Sequence, residues 1–275
     1  VLGGYSYMDN VAEGFGATRS GFDTNAFIYN NLGAGTDYRQ GDVYSYKNSC
    51  KLISFYGRVN YGLMDKYMIT ATIRRDGSSR FGADHKWGTF PSVSVAWRII
   101  NEKFMEGTHS WLDNLKLRVG YGITGNQNGV DPYKSLSVLS SAGASYYDAA
   151  TGTWKNSYVQ AQNANPDLKW ESTAQFNVGV DFGFLNRING SLEFYHKKTS
   201  DLLWTYPVPQ PPYLVGTMLA NVGDMVNKGV ELTLGANIVR TKDFSLSANA
   251  SLAYNKQEIT KLYNSQYQAV GLPAG

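Results

Sequence analysis

The sequence predicts an all-β protein, part of a transmembrane antiparallel β-barrel, on three observations. Nine segments alternate one apolar with one polar residue, the period of a strand whose two faces meet different surroundings. The connections between them are alternately short and long, as in a barrel with tight turns at one rim and large loops at the other. Tyr61, Tyr67, Phe184 and Phe244 lie on apolar faces beside short connections, where aromatic rings mark the edge of an apolar band.

Taken in order, a weak strand over 2–8 leads into a long connection over 9–52. From there the alternation is firm: Ile53, Phe55, Val59 and Tyr61 oppose Ser54, Tyr56, Arg58 and Asn60. A tight connection over 63–66 follows, then Tyr67, Ile69, Ala71 and Ile73 oppose Thr70, Thr72 and Arg74. After a long connection over 76–90, Val93, Val95, Trp97 and Ile99 oppose Ser92, Ser94 and Arg98. An intermediate stretch, 101–114, precedes Leu115, Leu117, Val119, Tyr121 and Ile123, set against Lys116 and Arg118. Beyond the long connection 125–169, Phe176, Val178, Val180, Phe182 and Phe184 oppose Asn177 and Asp181, and a tight turn at 185–187 introduces a weaker strand over 188–197. The last long connection, 205–228, precedes Val230, Leu232, Leu234, Ala236 and Ile238, then a tight turn at 239–243 and a strand carrying Phe244 to Tyr254. The four long connections are expected to be extracellular loops and the whole of 1–275 to be barrel domain.

A soluble β-sandwich also alternates, but its strands run nearer 5 to 6 residues than the roughly 9 to 11 a tilted membrane strand needs. The longer class fits here. Charge placement agrees, because Arg58, Arg74, Arg98, Lys116 and Arg118 all avoid the apolar face, where a cation at mid-bilayer costs about 2–4 kcal/mol.

A net charge of +3 over 275 residues, with basic and acidic groups interspersed, gives no electrostatic footprint for nucleic acid. No apolar run is long enough for a transmembrane helix, and the mean hydropathy of −0.33 is compatible with strands that are only half apolar. Cys50 is the only cysteine, so an internal disulfide is excluded and a passive role near a strand entrance is expected. The chain opens on Val1 within a strand, and both ends read as cut from something larger. Nine strands leave two open edges, whose unpaired backbone groups would be costly in hydrocarbon, so the rest of the wall is expected from other residues.

Little in the chain suggests catalysis. His85, His109 and His196 are scattered without metal-ligand spacing, and neither a phosphate-binding glycine loop nor a nucleophile elbow is present. Residues Asp76 to Asp84 are oxygen-rich but lack the spacing of a calcium hand, and a Gly/Asp turn is the favoured reading. The proline-rich stretch from Tyr206 to Tyr213 reads as a rigid surface loop in preference to a polyproline ligand. Tyr146, Tyr147, Trp154 and Tyr158 crowd one long loop, where they either stack on ligand or pack on one another.

Several motifs in fixed order carry a resemblance across nearly the whole chain: Tyr56-Gly57-Arg58-Val59-Asn60-Tyr61, Arg75-Asp76-Gly77-Ser78-Ser79-Arg80-Phe81-Gly82, Trp87-Gly88 with Phe90-Pro91-Ser92-Val93-Ser94 and Trp97-Arg98, Leu115-Lys116-Leu117-Arg118, Tyr121-Gly122-Ile123-Thr124-Gly125-Asn126-Gln127, Asn165-Pro166-Asp167-Leu168-Lys169-Trp170-Glu171, and Asn227-Lys228-Gly229-Val230-Glu231. In these the chain resembles the SusC/RagA family of TonB-dependent outer-membrane transporters of Bacteroidetes. The resemblance implies a barrel of about 22 strands with an N-terminal plug, a SusD-like surface lipoprotein as lid, and import of an oligosaccharide or peptide driven by the TonB complex. No plug or TonB box lies in these residues, so the match is to the C-terminal barrel portion.

The expected function is therefore nutrient import across the cell outer membrane, without enzymatic activity, cofactor or metal, and with outer-membrane lipid around the wall. A TonB-dependent siderophore receptor and a passive porin are the alternatives, with a surface adhesion protein as the non-transport reading. Expected substrate contacts are Tyr146, Tyr147 and Trp154, and Arg74, Arg98 and Arg118 are expected on the lumen wall or facing the plug.

Overall fold

The computed structural model of the chain describes residues 1–39 and 41–262, with all side chains there except those of 142–144. Its strands are β1 (Leu2–Ala17), β2 (Val43–Leu63), β3 (Tyr67–Ser78), β4 (Trp87–Arg98), β5 (Leu112–Asn126), β6 (Val138–Asp148), β7 (Thr153–Gln162), β8 (Glu171–Phe184), β9 (Ile188–Ser200), β10 (Leu203–Pro207), β11 (Thr217–Asn221), β12 (Asp224–Arg240) and β13 (Ser245–Lys261). Nine form one antiparallel sheet in the order β1-β2-β3-β4-β5-β8-β9-β12-β13, while β6–β7 and β10–β11 are separate hairpins.

Two of the tight turns are built alike. Met64 and Asp65 between β2 and β3, and Leu185 and Asn186 between β8 and β9, all have positive φ. Two successive left-handed residues are the mark of the type I′ hairpin, whose twist matches that of the flanking strands. Lys66 and Arg187 close these turns by donating their backbone N–H to the carbonyls of Leu63 and Phe184, each at 3.0 Å.

Register carries the alternation across the sheet. Tyr67, Trp97, Leu117, Val180, Leu192, Leu232 and Leu252 face one another in one row, on one side, from β3 to β13. The row starts beside a short turn on β3 and reaches the middle of the apolar run on β13. Such drift of the band against the pairing rows is what tilted strands of a barrel require. The apolar side is uncovered by protein: Ile73 is 56 %, Tyr121 46 % and Leu192 47 % exposed. A sandwich would bury that face, so the sheet is a barrel wall. Among the described residues two buried clusters lie in the long connections, one around Phe81 and Trp170, the other around Tyr206 and Met218.

The long connections are more structured, and three are shorter, than the alternation predicts. β1 and β2 pair without a break from Leu2↔Arg58 to Ala17↔Val43, so the first connection is 18–42 and not 9–52. Beyond the apolar band neither face is buried, and the apolar–polar rhythm has nothing to enforce it: Asp9 pairs with Lys51 and Glu13 with Lys47 on the face that was apolar below. β3 and β4 likewise extend to Gly77↔Trp87, which cuts 76–90 to 79–86. Within 125–169 sits the β6–β7 hairpin, and within 205–228 the β10–β11 hairpin, with β12 already begun at Asp224. The proline-rich stretch turns back on itself, with Tyr206 and Val208 buried and Tyr213 packed on them.

At the short-turn rim, Tyr67 stacks on Trp97 at 6.4 Å and Trp111 on Phe184 at 6.1 Å, extending the aromatic belt read from sequence. Glu102, in the 99–111 connection, ties this rim together, accepting from the Tyr67 hydroxyl at 2.7 Å, Lys66 Nζ at 3.0 Å and Trp97 Nε1 at 3.1 Å. These donors hold its carboxyl down to about 2 from a usual 4.5. A depressed carboxylate stabilises the fold fully above its unfolded pKa and loses that contribution as pH falls through the folded one. Trp97 fluorescence in the detergent-solubilised protein is thus expected to change as pH drops from about 4.5 toward 2, and Glu102→Gln to abolish that transition. A variant with the same transition would assign it to another group.

Candidate functional site

The face opposite the apolar band, to which strand geometry sends every second side chain, is mostly polar. In its short-turn half Arg98 lies opposite Lys116, and Lys116 opposite Asp181. Arg118 clamps Asp181 with Nε and Nη2, the closest contact 2.9 Å, while Nη2 also reaches Glu193 at 3.4 Å and Lys116 Nζ meets Asp181 at 2.8 Å. A Cβ on Gly179 would stand 2.9 Å from Arg118 Nη2, so the glycine lets the guanidinium lie against the strand. Arg98 and Arg118 thus lie on the same face, on two strands of one charged region.

Arg74 lies elsewhere, at the long-loop end of the same face. Its Nε donates to both Asp76 oxygens at 2.8 Å and Nη2 to the buried Ser54 hydroxyl at 3.1 Å. This occupies the carboxylate that heads the oxygen-rich stretch 76–84. The anchored guanidinium edges a cavity of about 430 Å³ whose walls include Thr72, Ser92, Thr124, Asn126 and Asn128, with Phe90 and Trp170 as its apolar side.

The cavity stands beside a node that fastens the outer connections. Phe81, Phe90, Val130, Leu168 and Trp170 form a buried cluster, with Trp170 tilted on Phe81 at 4.7 Å and edge-on to Phe90 at 5.4 Å. Trp170 Nε1 donates to the Lys86 carbonyl at 3.1 Å, and Gly82 N–H to the Leu168 carbonyl at 2.9 Å. Arg80 reaches from the same loop to the Val130 carbonyl at 2.7 Å and to Cys50 Sγ at 3.4 Å, so Cys50 is a buried packing and acceptor group within β2.

Asparagine side chains join the two outer hairpins. Asn163 Nδ2 donates to the carbonyls of Val215 and Thr217, and Asn165 Nδ2 to Leu219. Asn221 accepts from Lys169 N–H at 2.9 Å and donates to the carbonyls of Lys169 and Asp201. A carboxamide offers the donor and acceptor of a peptide group, so these residues extend β11 with a ladder made of side chains. Asn221→Ala would leave these backbone groups unsatisfied, at about 1–3 kcal/mol. The expected result is faster amide exchange over 165–170 with exchange in β5 and β8 unchanged; equal exchange in both regions would argue against the ladder.

Of the loop aromatics, Tyr147 and Trp154 are cross-strand partners and meet edge to face at 5.6 Å, both solvent-exposed. Tyr146 pairs with Lys155 and points to the opposite face of the hairpin, and Tyr158 lies beyond a register shift. The three proposed substrate contacts are therefore not one platform. Asp148 stiffens the hairpin end, its carboxyl held low by Lys155 and Thr151. Sequence reasoning assigns no role to Asn163 or Asn221, and it shows Ser54 only as a polar-face residue and Asn165 only as part of a motif. Among the described residues no group of three or more His, Cys, Asp or Glu could hold a metal ion.

The chain matches a family model described as TonB dependent receptor-like, beta-barrel, over residues 2–274. It is 41 % identical over 227 residues to the TonB-dependent receptor SusC of Bacteroides thetaiotaomicron, covering 82 % of this chain and 22 % of that protein. To the TonB-dependent receptor P3 of Formosa agariphila it is 38 % identical over 264 residues, covering 95 % and 25 %. Among solved structures it is similar to the RagAB peptide importer in its closed-closed state, with a TM-score of 0.79, 30 % identity, and coverage of 96 % of this chain and 28 % of that one. A ferric enterobactin receptor of Pseudomonas aeruginosa shares the fold alone, at a TM-score of 0.52 and 15 % identity. The chain spans about a quarter of the length of the curated relatives it matches.

Proposed function

The chain belongs to the TonB dependent receptor-like β-barrel family of outer-membrane proteins, and we propose that it supplies wall and outer mouth to an importer of a bulky nutrient, an oligosaccharide or a peptide. In this reading a SusD-like lipoprotein closes the mouth from outside and the TonB complex supplies the energy. The observation that carries it is the union of a polar inner face with outer connections fastened beside a cavity at its long-loop end. A wall that only spanned the membrane would need neither the buried loop cluster nor the side-chain ladder. Exposed Tyr147 and Trp154 would meet cargo or lid at the mouth, and Arg98 and Arg118 would face the plug or the passage. The RagAB relative imports peptide and SusC is a TonB-dependent receptor, which supports the transport class.

The test is purification of the full-length protein from native outer membranes in mild detergent, with mass spectrometry of what travels with it. A stoichiometric surface lipoprotein with bound oligosaccharide or peptide is expected. Recovery alone, with small solutes crossing reconstituted vesicles in the absence of TonB, would make it a porin. A co-purifying ferric chelate would make it a siderophore receptor.

A further inference from the structure

The lipid-facing side of the sheet carries a row of basic side chains with little neutralisation among the described residues. His196, Lys228 and Lys256 lie directly opposite one another across β9, β12 and β13. Side chains at such positions stand about 5 Å apart, and the like charges of Lys228 and Lys256 repel there. Neither His196 nor Lys228 has an ion pair among the described residues, and Lys256 has only Glu258 at 4.0 Å. One step further out, Lys198 reaches Asp224 at no closer than 3.9 Å.

The position of the row is as telling as its charge. Immediately on the short-turn side the next row is Phe194, Val230 and Tyr254, the upper limit of the apolar band. At the same limit on β3, just beyond Ile73, Arg75 lies over the Trp87 ring at 5.5 Å. Strand tilt shifts these limits against one another. The Phe194 row runs through Val178, Val119 and Val95 to Ile69, four residues below Ile73. The cations follow the drifting edge of the band, which is the level at which lipid headgroups begin.

We propose that His196, Lys228 and Lys256 form a binding site for the phosphorylated headgroup of a lipid in the outward-facing leaflet. A phosphate set between adjacent strands would accept from two or three of these groups at once and remove the repulsion between the two lysines. The acyl chains would lie along Phe194, Val230 and Leu232 below. An acidic protein would match the charge but would not account for the apolar residues continuing without interruption into the membrane band.

The experiment uses the full-length protein in detergent and follows its melting temperature with three probes: phosphorylated glycolipid extracted from outer membranes, the same lipid after phosphatase treatment, and inorganic phosphate. The expected result is an upward shift with the first alone. That shift should be lost in the triple variant His196→Gln, Lys228→Gln, Lys256→Gln and kept in Lys197→Gln on the opposite face. Without lipid the triple variant should melt at or above the wild-type temperature, since the lysine repulsion it loses outweighs the long, exposed contact of Lys256 with Glu258. An undiminished shift in the triple variant, an equal shift with dephosphorylated lipid or free phosphate, or a lower melting temperature without lipid would overturn the proposal. So would loss of a co-purifying protein from the variant with the lipid response intact.

Discussion

Gly82→Ala is expected to unfasten the outer connections while leaving the wall intact. A Cβ at this position would stand 1.7 Å from the Pro166 carbonyl oxygen, and the obstacle is backbone. Relief requires the 165–168 segment to withdraw, which breaks the Gly82 N–H bond to Leu168 and pulls Leu168 and Trp170 off Phe81. Overpacking of a tight site costs about 1–3 kcal/mol, and an obstacle made of backbone puts this one toward the upper end. The measurement is limited proteolysis of the full-length protein together with its thermal unfolding in detergent. New cleavage is expected within 127–170, with the barrel still resistant. Gly62→Ala in β2 is the control, because nothing lies within 4 Å of its added Cβ; stability should hold or rise slightly as the unfolded chain loses freedom. Equal behaviour of the two variants would mean that the node does not hold the loops.

That node also marks the boundary of what sequence conveys. The membrane-spanning strands and their two faces were legible because a lipid face and a polar face impose a period of two, and Ile69, Val95, Val119 and Val178 fall where the alternation puts them. Beyond the band this constraint ends. Val11 and Phe15 lie on the same face as Asp9 and Glu13, so the β1–β2 extension reads as loop though it pairs to its last residue. The hairpins inside 125–169 and 205–228 were hidden for a related reason. They pack on each other through Asn163, Asn165 and Asn221, and hydrogen bonds from carboxamides leave no periodic trace. The motifs around Phe81, Asn126 and Trp170 were visible as motifs, but their meeting in one cluster depends on contacts across more than 80 positions, as between Lys86 and Trp170. Arg118, in the middle of β5, lies opposite the apolar side for a simple reason: a cation in mid-strand has only one face it can occupy at low cost.

The most decisive test of the wall is a pair of arginines at neighbouring positions of β12. Leu232 sits mid-band on the apolar side, flanked across the strands by Leu192 and Leu252, while Thr233 points to the polar side between Ser191 and Ser251. In a membrane barrel, Leu232→Arg is expected to cost about 2–4 kcal/mol, and Thr233→Arg about nothing, since a lumen-facing cation remains hydrated. In a soluble sheet with this same exposure the asymmetry would vanish, because Leu232 would already face water. Both variants of the full-length protein would be folded into lipid vesicles and unfolded with guanidinium. A difference of about 2 kcal/mol or more establishes which face meets lipid. Equal stabilities would dismiss the barrel wall, and with it the assignment of the Arg118 patch to a lumen and of the Lys228 row to a bilayer edge, since both rest on the same division of the sheet into an oily side and a wet one.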